Sequence, residues 1–382
     1  MRTRFACVPA CAALALLCLG VPAPSGAGVV NPDISVIGQP ALRWTDDAAD
    51  PGRKRFRLDP GETEFVFDAA LNPYARGTVV AAMADGEAGV EEAYFSMTRG
   101  LPLGLALKGG KYRAGFGRLN PQHPHVYPFA DRFHLLAEYL PGEEAFNETG
   151  LQVSEQFALP HDVALTVSAD WLQGDSFRRE RENTAAPNDP LELGGDDGLG
   201  EPRAAGLGRV AAFVPLRGQS AFEIGVSAAQ GVNNAAAGTK TTLVGADAKA
   251  KLWNSPSSYV VLQGEFVSLD REDAGWDEAA AAYTSESVKP AGAYLYADYN
   301  FRTRYNVGAS FERWQTADAA KAWNQSFGVF AGLALMEETT AFRAGWEHLQ
   351  PATPEGGETP DAVHTFTLRV VWSMGPHKAH QF

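Results

Sequence analysis

Hydrophobic and polar residues alternate with a period of two along most of this chain. Val163, Leu165 and Val167 fall on one side of such a segment, and Thr166 and Ser168 fall on the other. Successive side chains of a β-strand point to opposite faces of its sheet, so this pattern predicts strands with one apolar and one polar face. The chain contains sixteen candidate strands, at residues 35–45, 62–71, 74–84, 90–99, 103–116, 148–158, 163–173, 205–215, 221–232, 240–253, 259–270, 290–301, 305–315, 325–335, 339–349 and 364–375.

The connections between these strands alternate between short and long. The short ones lie at 72–74, 100–102, 160–162, 217–220, 254–258, 302–304 and 336–338, and the longer ones at 46–61, 85–89, 117–147, 174–204, 233–239, 271–289, 316–324 and 350–363. Outer-membrane barrels have short periplasmic turns and long outer loops. We therefore predict an all-β fold, a closed antiparallel transmembrane β-barrel of about sixteen strands with an aqueous lumen. A soluble secreted β-sandwich with a binding function is an alternative, because alternation of apolar and polar residues fits both folds. The alternation of short and long connections makes it the less favoured one.

The first residues predict the compartment. Arg2 and Arg4 precede an apolar stretch at 10–21 and small residues at 25–27, which predicts a signal peptide over residues 1–27. The remainder, 28–382, is expected to be a single barrel domain in the outer membrane. All three cysteines lie in the predicted signal peptide, and no later stretch reaches the 18 or so apolar residues of a membrane-spanning helix.

Charge and motifs exclude other classes of function. The chain has 32 Lys and Arg against 46 Asp and Glu, a formal net charge of −14, which argues against a nucleic-acid partner. It contains no GxSxG, HExxH or phosphate-binding glycine loop. We therefore expect no enzymatic activity and no cofactor.

The connection at 117–147 is unlike the others. It contains four prolines and three histidines without a regular period, and it is rich in aromatic and aliphatic residues. Connections of this length are usually functional or disordered, and disorder requires low hydrophobicity. We expect this third outer loop to fold back into the lumen and narrow it.

Several charged residues are expected to line the pore. Lys108 alternates with leucines and should face the lumen. A β-bulge at the glycine pair 109–110 would then reverse the alternation, placing Lys111 and Arg113 inward and Tyr112 outward. In the alternative, Lys111 and Arg113 extend to the lipid interface. The other predicted pore-lining residues are Arg118, Asp131, Glu138, Arg343 and Arg369.

Acidic residues are expected on the inward face as well. A mixture of both charges in a pore predicts a weak ion preference. The predicted inward acids are Glu64, Asp68, Asp170, Glu223, Glu265, Asp298, Glu312 and Glu347.

The loop also offers metal-ligand types. His123, His125 and His134, with Asp131 nearby, are residues that zinc accepts. The alternative is that these histidines make hydrogen bonds that fix the loop without a metal.

Tryptophans are placed near the ends of predicted strands. Aromatic belts mark the two interfaces of a membrane barrel. The predicted belt residues are Trp44, Trp171 and Trp314 at the loop ends and Trp253 and Trp372 near the turn ends.

Three stretches carry a resemblance to a known family. NPDISVIGQ at 31–39, VEEAYFSMTRGLPLGLALKGGKYRAGFGRLN at 90–120 and HPHVYPFADRF at 123–133 resemble bacterial outer-membrane porins. Within these, the resemblance is to phosphate-selective porins and to porin-like barrels labelled zinc-regulated outer-membrane receptors. It implies that the loop after the fifth strand forms the constriction, that the barrel assembles as a homotrimer, and that Phe382 is read by the barrel-assembly machinery.

The chain departs from these families in two respects. The arginine and lysine ladder expected of a phosphate-selective pore is not evident, and too few residues precede the first strand to form a receptor plug. Residues 376–382 are expected to form a periplasmic tail, because Gly375 and Pro376 interrupt the last strand. We expect a porin, surrounded by outer-membrane lipid, that passes small hydrophilic solutes or ions by diffusion. The alternative is a substrate-specific receptor or channel that binds its ligand at 117–147.

Overall fold

The computed structural model describes residues 31–84, 86–142, 145–179, 202–277, 279–336, 339–354 and 356–375. The predicted signal peptide, the tail 376–382 and Phe382 lie outside the described residues. Within the described ranges the chain forms nineteen β-strands in one antiparallel sheet and one α-helix. The strands are β1 (Asp33–Gly38), β2 (Ala41–Thr45), β3 (Arg57–Asp59), β4 (Thr63–Ala70), β5 (Ala75–Ala84), β6 (Glu87–Met97), β7 (Ala106–Arg113), β8 (Asn147–Leu159), β9 (Val163–Leu172), β10 (Ala205–Pro215), β11 (Ala221–Asn234), β12 (Thr239–Ser255), β13 (Ser258–Asp277), β14 (Ala282–Val288), β15 (Ala291–Phe301), β16 (Tyr305–Gln315), β17 (Trp323–Met336), β18 (Thr340–Gln350) and β19 (Val363–Met374).

The helical elements are short. Helix α1 spans His134–Tyr139, and 3₁₀ turns lie at Pro102–Gly104, Pro124–Val126, Pro160–Asp162 and Asp175–Phe177. Among the described residues, no helix is long and apolar enough to cross a membrane.

The sheet closes on itself into a barrel wall of sixteen strands. Strand β1 pairs with both β4 and β19, which joins the two ends of the sheet. Strands β1 and β2 are two halves of one wall strand, interrupted at Pro40, and both pair with β19. Among the described residues, strand β3 pairs with β2 alone and β14 with the end of β13 alone, so both belong to loop hairpins. The predicted closed antiparallel sixteen-stranded barrel is confirmed.

The observed strand boundaries lie close to the predicted ones. Strands β10 and β16 match the predicted 205–215 and 305–315. The largest difference is at β13, which continues seven residues beyond the predicted end and forms a hairpin with β14. This extension carries mostly polar and small residues on both faces, so it lacks the apolar alternation that the prediction required.

The outward face of the barrel is apolar. Val226, Val244, Phe266, Leu295 and Phe311 lie on five consecutive wall strands, β11, β12, β13, β15 and β16, and all five are exposed. A soluble protein rarely leaves so continuous an apolar band in contact with water. The band has the character of the lipid-facing surface of a membrane barrel.

The inward face carries the acids that alternation predicted. Asp68, Asp170, Asp298 and other carboxylates of this face are buried, in contact with polar side chains inside the barrel. The barrel core is therefore formed by inward side chains together with residues 114–146, which connect β7 to β8 and are called the inner loop below.

The predicted aromatic belts are wrong for two tryptophans. Trp171 is 64% exposed on the outward face, as expected. Trp314 is buried inside the barrel, where its ring stacks on His134. Trp253 lies on the same inward face as Lys251 and packs against Tyr259. Position near a strand end does not distinguish a lipid-facing ring from one that packs against an internal loop.

Candidate functional site

The inner loop fills one side of the barrel lumen. It enters after Arg113, at the end of β7, and returns to the wall at Asn147, where β8 begins. Its buried apolar side chains pack against inward residues of the wall, including Leu243, Tyr294 and Phe330. The loop side chains of this core are Ala114, Phe116, Leu119, Tyr127, Phe129, Phe133, Leu135, Leu136, Tyr139, Leu140 and Phe146. The hydrophobicity that argued against disorder is thus buried inside the barrel, and the predicted folding of this loop into the lumen is confirmed.

The side chain of Asn120 joins the two ends of the inner loop. The amide nitrogen of Asn120 donates to the carbonyls of Ala114 and Phe146, at 2.8 and 2.9 Å. Its amide oxygen accepts from the N–H of Phe146 at 2.9 Å. Together with the backbone hydrogen bond from the N–H of Ala114 to the carbonyl of Phe146, at 2.8 Å, these bonds hold the two ends of the loop together.

A wall glutamate holds the first turn of the loop. Oε1 of Glu265 accepts the backbone N–H groups of Arg118 and Leu119, both at 2.8 Å, and the hydroxyl of Tyr294 at 2.6 Å. Gly117, with φ +62°, brings the backbone against the other oxygen of this carboxylate. The Arg118 guanidinium forms an ion pair with Glu223, so this predicted pore-lining residue lies in the lumen.

A second wall glutamate holds the start of α1. Glu312 accepts the backbone N–H groups of His134 and Leu135 at 3.1 and 3.0 Å. These N–H groups have no partner within the helix, so a carboxylate at this position supplies the missing acceptor. The predicted Glu138 accepts from Trp314 Nε1 and from the N–H of Ala317, both at 2.6 Å, which fixes the other end of α1.

The side chain of His134 points at the barrel wall. Its Nε2 lies 3.0 Å from Glu347, and its ring stacks on Trp314 with the centroids 5.3 Å apart. Burial by itself would lower the pKa of His134, but the hydrogen bond to Glu347 and the charges of Glu312 and Glu347 raise it to about 9. The imidazole is therefore positively charged at neutral pH and binds the loop to β18.

Three carboxylates and two histidines form a second cluster, where the loop faces β4 and β6. His123 Nε2 lies 3.1 Å from Glu92, and His123 Nδ1 lies 3.2 Å from both Glu64 and Glu91. His125 Nδ1 lies 2.9 Å from the other oxygen of Glu64. Although burial would lower it, contact with the three carboxylates Glu64, Glu91 and Glu92 raises the pKa of His123 well above its usual value.

A β-bulge brings two adjacent glutamates to this cluster. In the pairing of β5 with β6, Val80 lies opposite Glu92 and Ala81 lies opposite Val90, so Glu91 has no partner. Adjacent residues of a regular strand point to opposite faces, but a bulge re-aims one of them. Glu91 and Glu92 therefore both face the inner loop.

The predicted metal set is divided between two places. His123 and His125 lie with Glu64, whereas His134 lies with Glu312 and Glu347. Each group has donor atoms within 4.8 Å of one another. The expectation that the three histidines form one set with Asp131 is wrong, because sequence proximity does not keep side chains of a folded loop on the same side.

Asp131 contacts basic residues of the barrel wall. Its carboxylate lies 3.2 Å from the guanidinium groups of Arg43 and Arg369. Arg343 donates to the carbonyl of His125 at 2.7 Å. Asp131, Arg343 and Arg369 are thus all on the inside of the barrel, where they bind the inner loop to β2, β18 and β19.

Strand β7 places Lys108 inside the barrel, whereas the expected inward position of Lys111 is wrong. The ammonium of Lys108 lies over the rings of Tyr94 and Tyr112 at 4.1 and 4.5 Å, inside the barrel. Strand β7 pairs with both neighbours without a register shift, so no bulge reverses its faces. Lys111 is accordingly exposed on the outward face and donates to the carbonyl of Val90 at 2.7 Å.

The same continuity makes the expected outward position of Tyr112 wrong. Tyr112 is buried in the lumen, where its hydroxyl donates to Asp170 at 2.8 Å. Arg113 does face the interior, because β7 ends there and the chain turns inward. Its guanidinium donates to the carbonyl of Gln122 and to Glu91, at 3.2 and 3.3 Å. The glycine pair serves packing against Phe95 and the β6 backbone instead of a bulge.

A polar cavity remains between the inner loop and the opposite wall. It has a volume of about 580 Å³ and is bounded by strands from β1 to β11 and by loop residues 117–125. Basic and acidic side chains both line it, which agrees with the mixed charge expected from the sequence. The basic residues are Lys108, Arg113, Arg118 and Arg209, and the acidic ones are Asp33, Glu64, Asp68, Glu92 and Glu223.

Sequence reasoning missed the residues that hold the loop. Glu265 and Glu312 were expected to face inward, but nothing in the alternation showed that they bind backbone N–H groups of the loop. Asn120 and Trp314 were not expected at the site. A lone buried glutamate on an otherwise small or aromatic inward face is the signal that points to such an anchor, since a buried carboxylate requires donors.

No protein-family model matches the chain. A protein of Aquifex aeolicus, named only as an uncharacterized protein, is 27% identical over 281 residues, which cover 68% of this chain and 54% of that protein. The chain thus spans about half the length of the curated relative that it matches.

Solved structures of a channel, a porin and another outer-membrane protein are similar over nearly the whole chain. The channel DcaP of Acinetobacter baumannii has a TM-score of 0.57 at 10% identity, covering 93% of this chain and 99% of that chain. The anion-selective porin of Comamonas acidovorans has a TM-score of 0.57 at 10% identity, covering 90% and 100%. A trimer form of OmpT of Vibrio cholerae has a TM-score of 0.53 at 10% identity, covering 90% and 99%. At these identities the similarity shows the fold, which is that of the sixteen-stranded porins.

Proposed function

We propose that this protein is an outer-membrane porin that passes small hydrophilic solutes or ions through its lumen. The observation that carries the proposal is the closed sixteen-stranded wall, apolar outside and charged inside, with the inner loop folded into it. A barrel of this size leaves an aqueous interior unless internal segments fill it. The inner loop fills one side and leaves the charged cavity on the other, so the passage runs beside the loop.

The charges of the cavity favour a weak ion preference. Arg209 makes two bonds to Asp247, at 2.6 and 2.9 Å, and Arg118 is paired with Glu223. Paired charges produce local fields that largely cancel at a distance. Transport by this mechanism requires no cofactor and no catalytic turnover.

A substrate-specific channel or receptor is the second candidate. The extent of the packed core around the inner loop favours it, because a loop held by Glu265, Glu312 and Asn120 offers a fixed surface instead of a loose constriction. A ligand bound in the cavity would then contact loop residues 117–125. Assembly as a homotrimer within outer-membrane lipid is part of the proposal, and the trimer form of one structural neighbour supports it.

Single-channel recording in a planar bilayer tests the proposal. Purified protein is expected to give stepwise openings, and a salt gradient gives the ion preference from the reversal potential. Lys108→Glu places a negative charge in the lumen and is expected to shift the reversal potential towards cations. Lys111→Glu is the matched control, because Lys111 is three residues away on the outward face and should leave the potential unchanged.

Two results would contradict this proposal. Folded protein that inserts into the bilayer without openings would exclude the diffusion porin and favour the receptor. Equal shifts from Lys108→Glu and Lys111→Glu would show that the cavity beside Lys108 is not the conducting path.

A further inference from the structure

The cluster of carboxylates around His123 and His125 has the arrangement of a metal site. The donor atoms come from three separated parts of the chain: Glu64 on β4, Glu91 and Glu92 on β6, and the two histidines of the inner loop. Glu64 is fully buried, and its Oε2 has no hydrogen-bond partner among the described residues. The same holds for His123 Nδ1, which faces that oxygen. A buried carboxylate oxygen and an imidazole nitrogen that face each other without a hydrogen bond can each donate a lone pair to a metal ion.

The distances in the cluster fit a small divalent ion. Zinc binds imidazole nitrogen and carboxylate oxygen at about 2.0–2.2 Å in a tetrahedron, which sets neighbouring donors roughly 3.3–3.5 Å apart. His123 Nδ1 lies 3.2 Å from Glu64 Oε2 and 3.2 Å from Glu91 Oε2. The His125 ring, stacked 5.7 Å from the His123 ring, adjoins the same Glu64 carboxylate. Only small movements would bring these donors around one ion.

Neighbouring residues orient the side chains that would bind the ion. His123 Nε2 lies 3.1 Å from the Glu92 carboxylate, which leaves Nδ1 to face Glu64 and Glu91. A ligating histidine commonly donates its other N–H to a carboxylate, which fixes the ring and raises its basicity. Glu92 in turn accepts from the N–H of Arg113 at 2.8 Å, and Glu64 accepts from the side chain of Gln39 at 3.3 Å. The ligands are thus held in place by residues of the wall.

We propose that His123, His125, Glu64 and Glu91 bind one divalent transition-metal ion of the zinc class, oriented by Glu92. Two imidazoles with two carboxylates favour this class over Mg²⁺ and Ca²⁺, which take six or more oxygens. The ion fixes the inner loop to β4 and β6 beside the polar cavity. The proposal does not require that the barrel conducts, so its failure and that of the channel are distinguishable.

The group at His134 is less suited to the same role. Both oxygens of Glu312 already accept backbone N–H groups of α1, and the His134 ring is held flat against Trp314. Its geometry is explained by anchoring of the helix. His134→Ala is therefore a matched control that removes a loop histidine with a carboxylate partner while leaving every proposed ligand in place.

Isothermal titration of the full-length barrel in detergent with Zn²⁺ tests the proposal. We expect saturable binding of one ion per chain, with Co²⁺ giving the visible absorption bands of a tetrahedral site. Loss of outer-shell residues commonly weakens metal affinity about 10–100-fold, so removing both ligands in His123→Ala/His125→Ala should weaken binding more than that. His134→Ala removes a loop anchor but no ligand, so it should leave the stoichiometry unchanged and weaken binding far less than the double variant.

A second variant distinguishes the loss of a metal ligand from misfolding of the barrel. Glu91→Gln keeps the shape of the side chain and removes one ligand charge, and heat-modifiable gel migration reports whether the barrel has folded. Folded Glu91→Gln protein is expected to bind Zn²⁺ more than about 10-fold more weakly. The absence of saturable binding to the unmodified protein would overturn the proposal, as would unchanged affinity in folded Glu91→Gln or a loss of binding in His134→Ala as large as that in His123→Ala/His125→Ala.

Discussion

Replacing Glu265 by alanine is expected to release the first turn of the inner loop from the barrel wall. One oxygen of this carboxylate accepts three hydrogen bonds, from the N–H groups of Arg118 and Leu119 and from the Tyr294 hydroxyl. Alanine removes that acceptor and leaves three buried donors without a partner. Because Arg118 and Leu119 are where the loop turns into the lumen, the loss acts on loop docking more than on the wall.

The size of the effect follows from the number of donors lost. A buried donor left unsatisfied costs about 1–3 kcal/mol, so three set a range of about 3–9 kcal/mol. The polar cavity next to Arg118 lets water reach the freed groups, and we therefore expect the lower end, about 3 kcal/mol. That free energy changes the ratio of docked to released loop by roughly 100-fold.

Single-channel conductance and protease cleavage within the loop measure this ratio independently. Glu265→Ala is expected to increase the time spent at high conductance and to expose the loop to cleavage. Glu265→Gln is the matched control, because the glutamine can place its oxygen at the position that accepts all three bonds. The control should lose only the part of the interaction that depends on charge.

Two results would refute this reasoning. If Glu265→Ala showed the conductance and protease resistance of the unmodified protein, the apolar packing of the loop would suffice and the carboxylate would not anchor it. If Glu265→Gln were as severe as Glu265→Ala, the negative charge would matter and the hydrogen-bond acceptor would not.

Two further predictions concern the same loop. His134 has a pKa of about 9 in the fold against 6.5 ordinarily, so the stabilisation from its protonated ring is fully present below about pH 6.5 and is lost as the pH rises through 9. Protease cleavage of the loop should therefore increase over that pH window, and it should increase less in His134→Gln. A flat pH profile would show that the pair of His134 with Glu347 contributes nothing. Gly117→Ala places a Cβ against Glu265 at a positive φ and should destabilise the barrel by about 1–2 kcal/mol or more. The midpoint of the heat-induced gel shift measures this. Gly115→Ala is the control, because Gly115 has no positive φ and a Cβ there would meet only Gln152 Nε2, at an ordinary contact distance of 3.7 Å. Equal midpoints for the two variants would contradict the role given to Gly117.

The strands of the barrel were predictable from the sequence because alternation is a local property. Each wall strand separates lipid from lumen, so its polar and apolar residues must alternate wherever it crosses. The inward position of Glu265, Glu312 and Glu347 followed from that rule. The prediction failed at Lys111, because the two glycines do not form the expected bulge that would reverse the faces of β7. Their small size instead allows close packing against β6.

The loop could be placed inside the barrel from its composition, but its contacts could not be predicted. An aromatic-rich segment of this length must bury its side chains somewhere, and the lumen is the space a barrel provides. Which wall residues receive it depends on how sixteen strands bring distant positions together. Glu265 is 147 residues from Arg118, and Glu347 is 213 residues from His134.

The sequence by itself determined the barrel, the face of nearly every wall residue and the burial of the inner loop in the lumen. Each of these depends on local periodicity or on total hydrophobicity. Only the tertiary structure decided which residues form sites. It separated His134 from His123 and His125, paired Asp131 with arginines instead of histidines, and used a bulge at Glu91 to gather carboxylates around His123. These outcomes depend on register and on the path of a folded loop, and neither leaves a periodic trace in the chain.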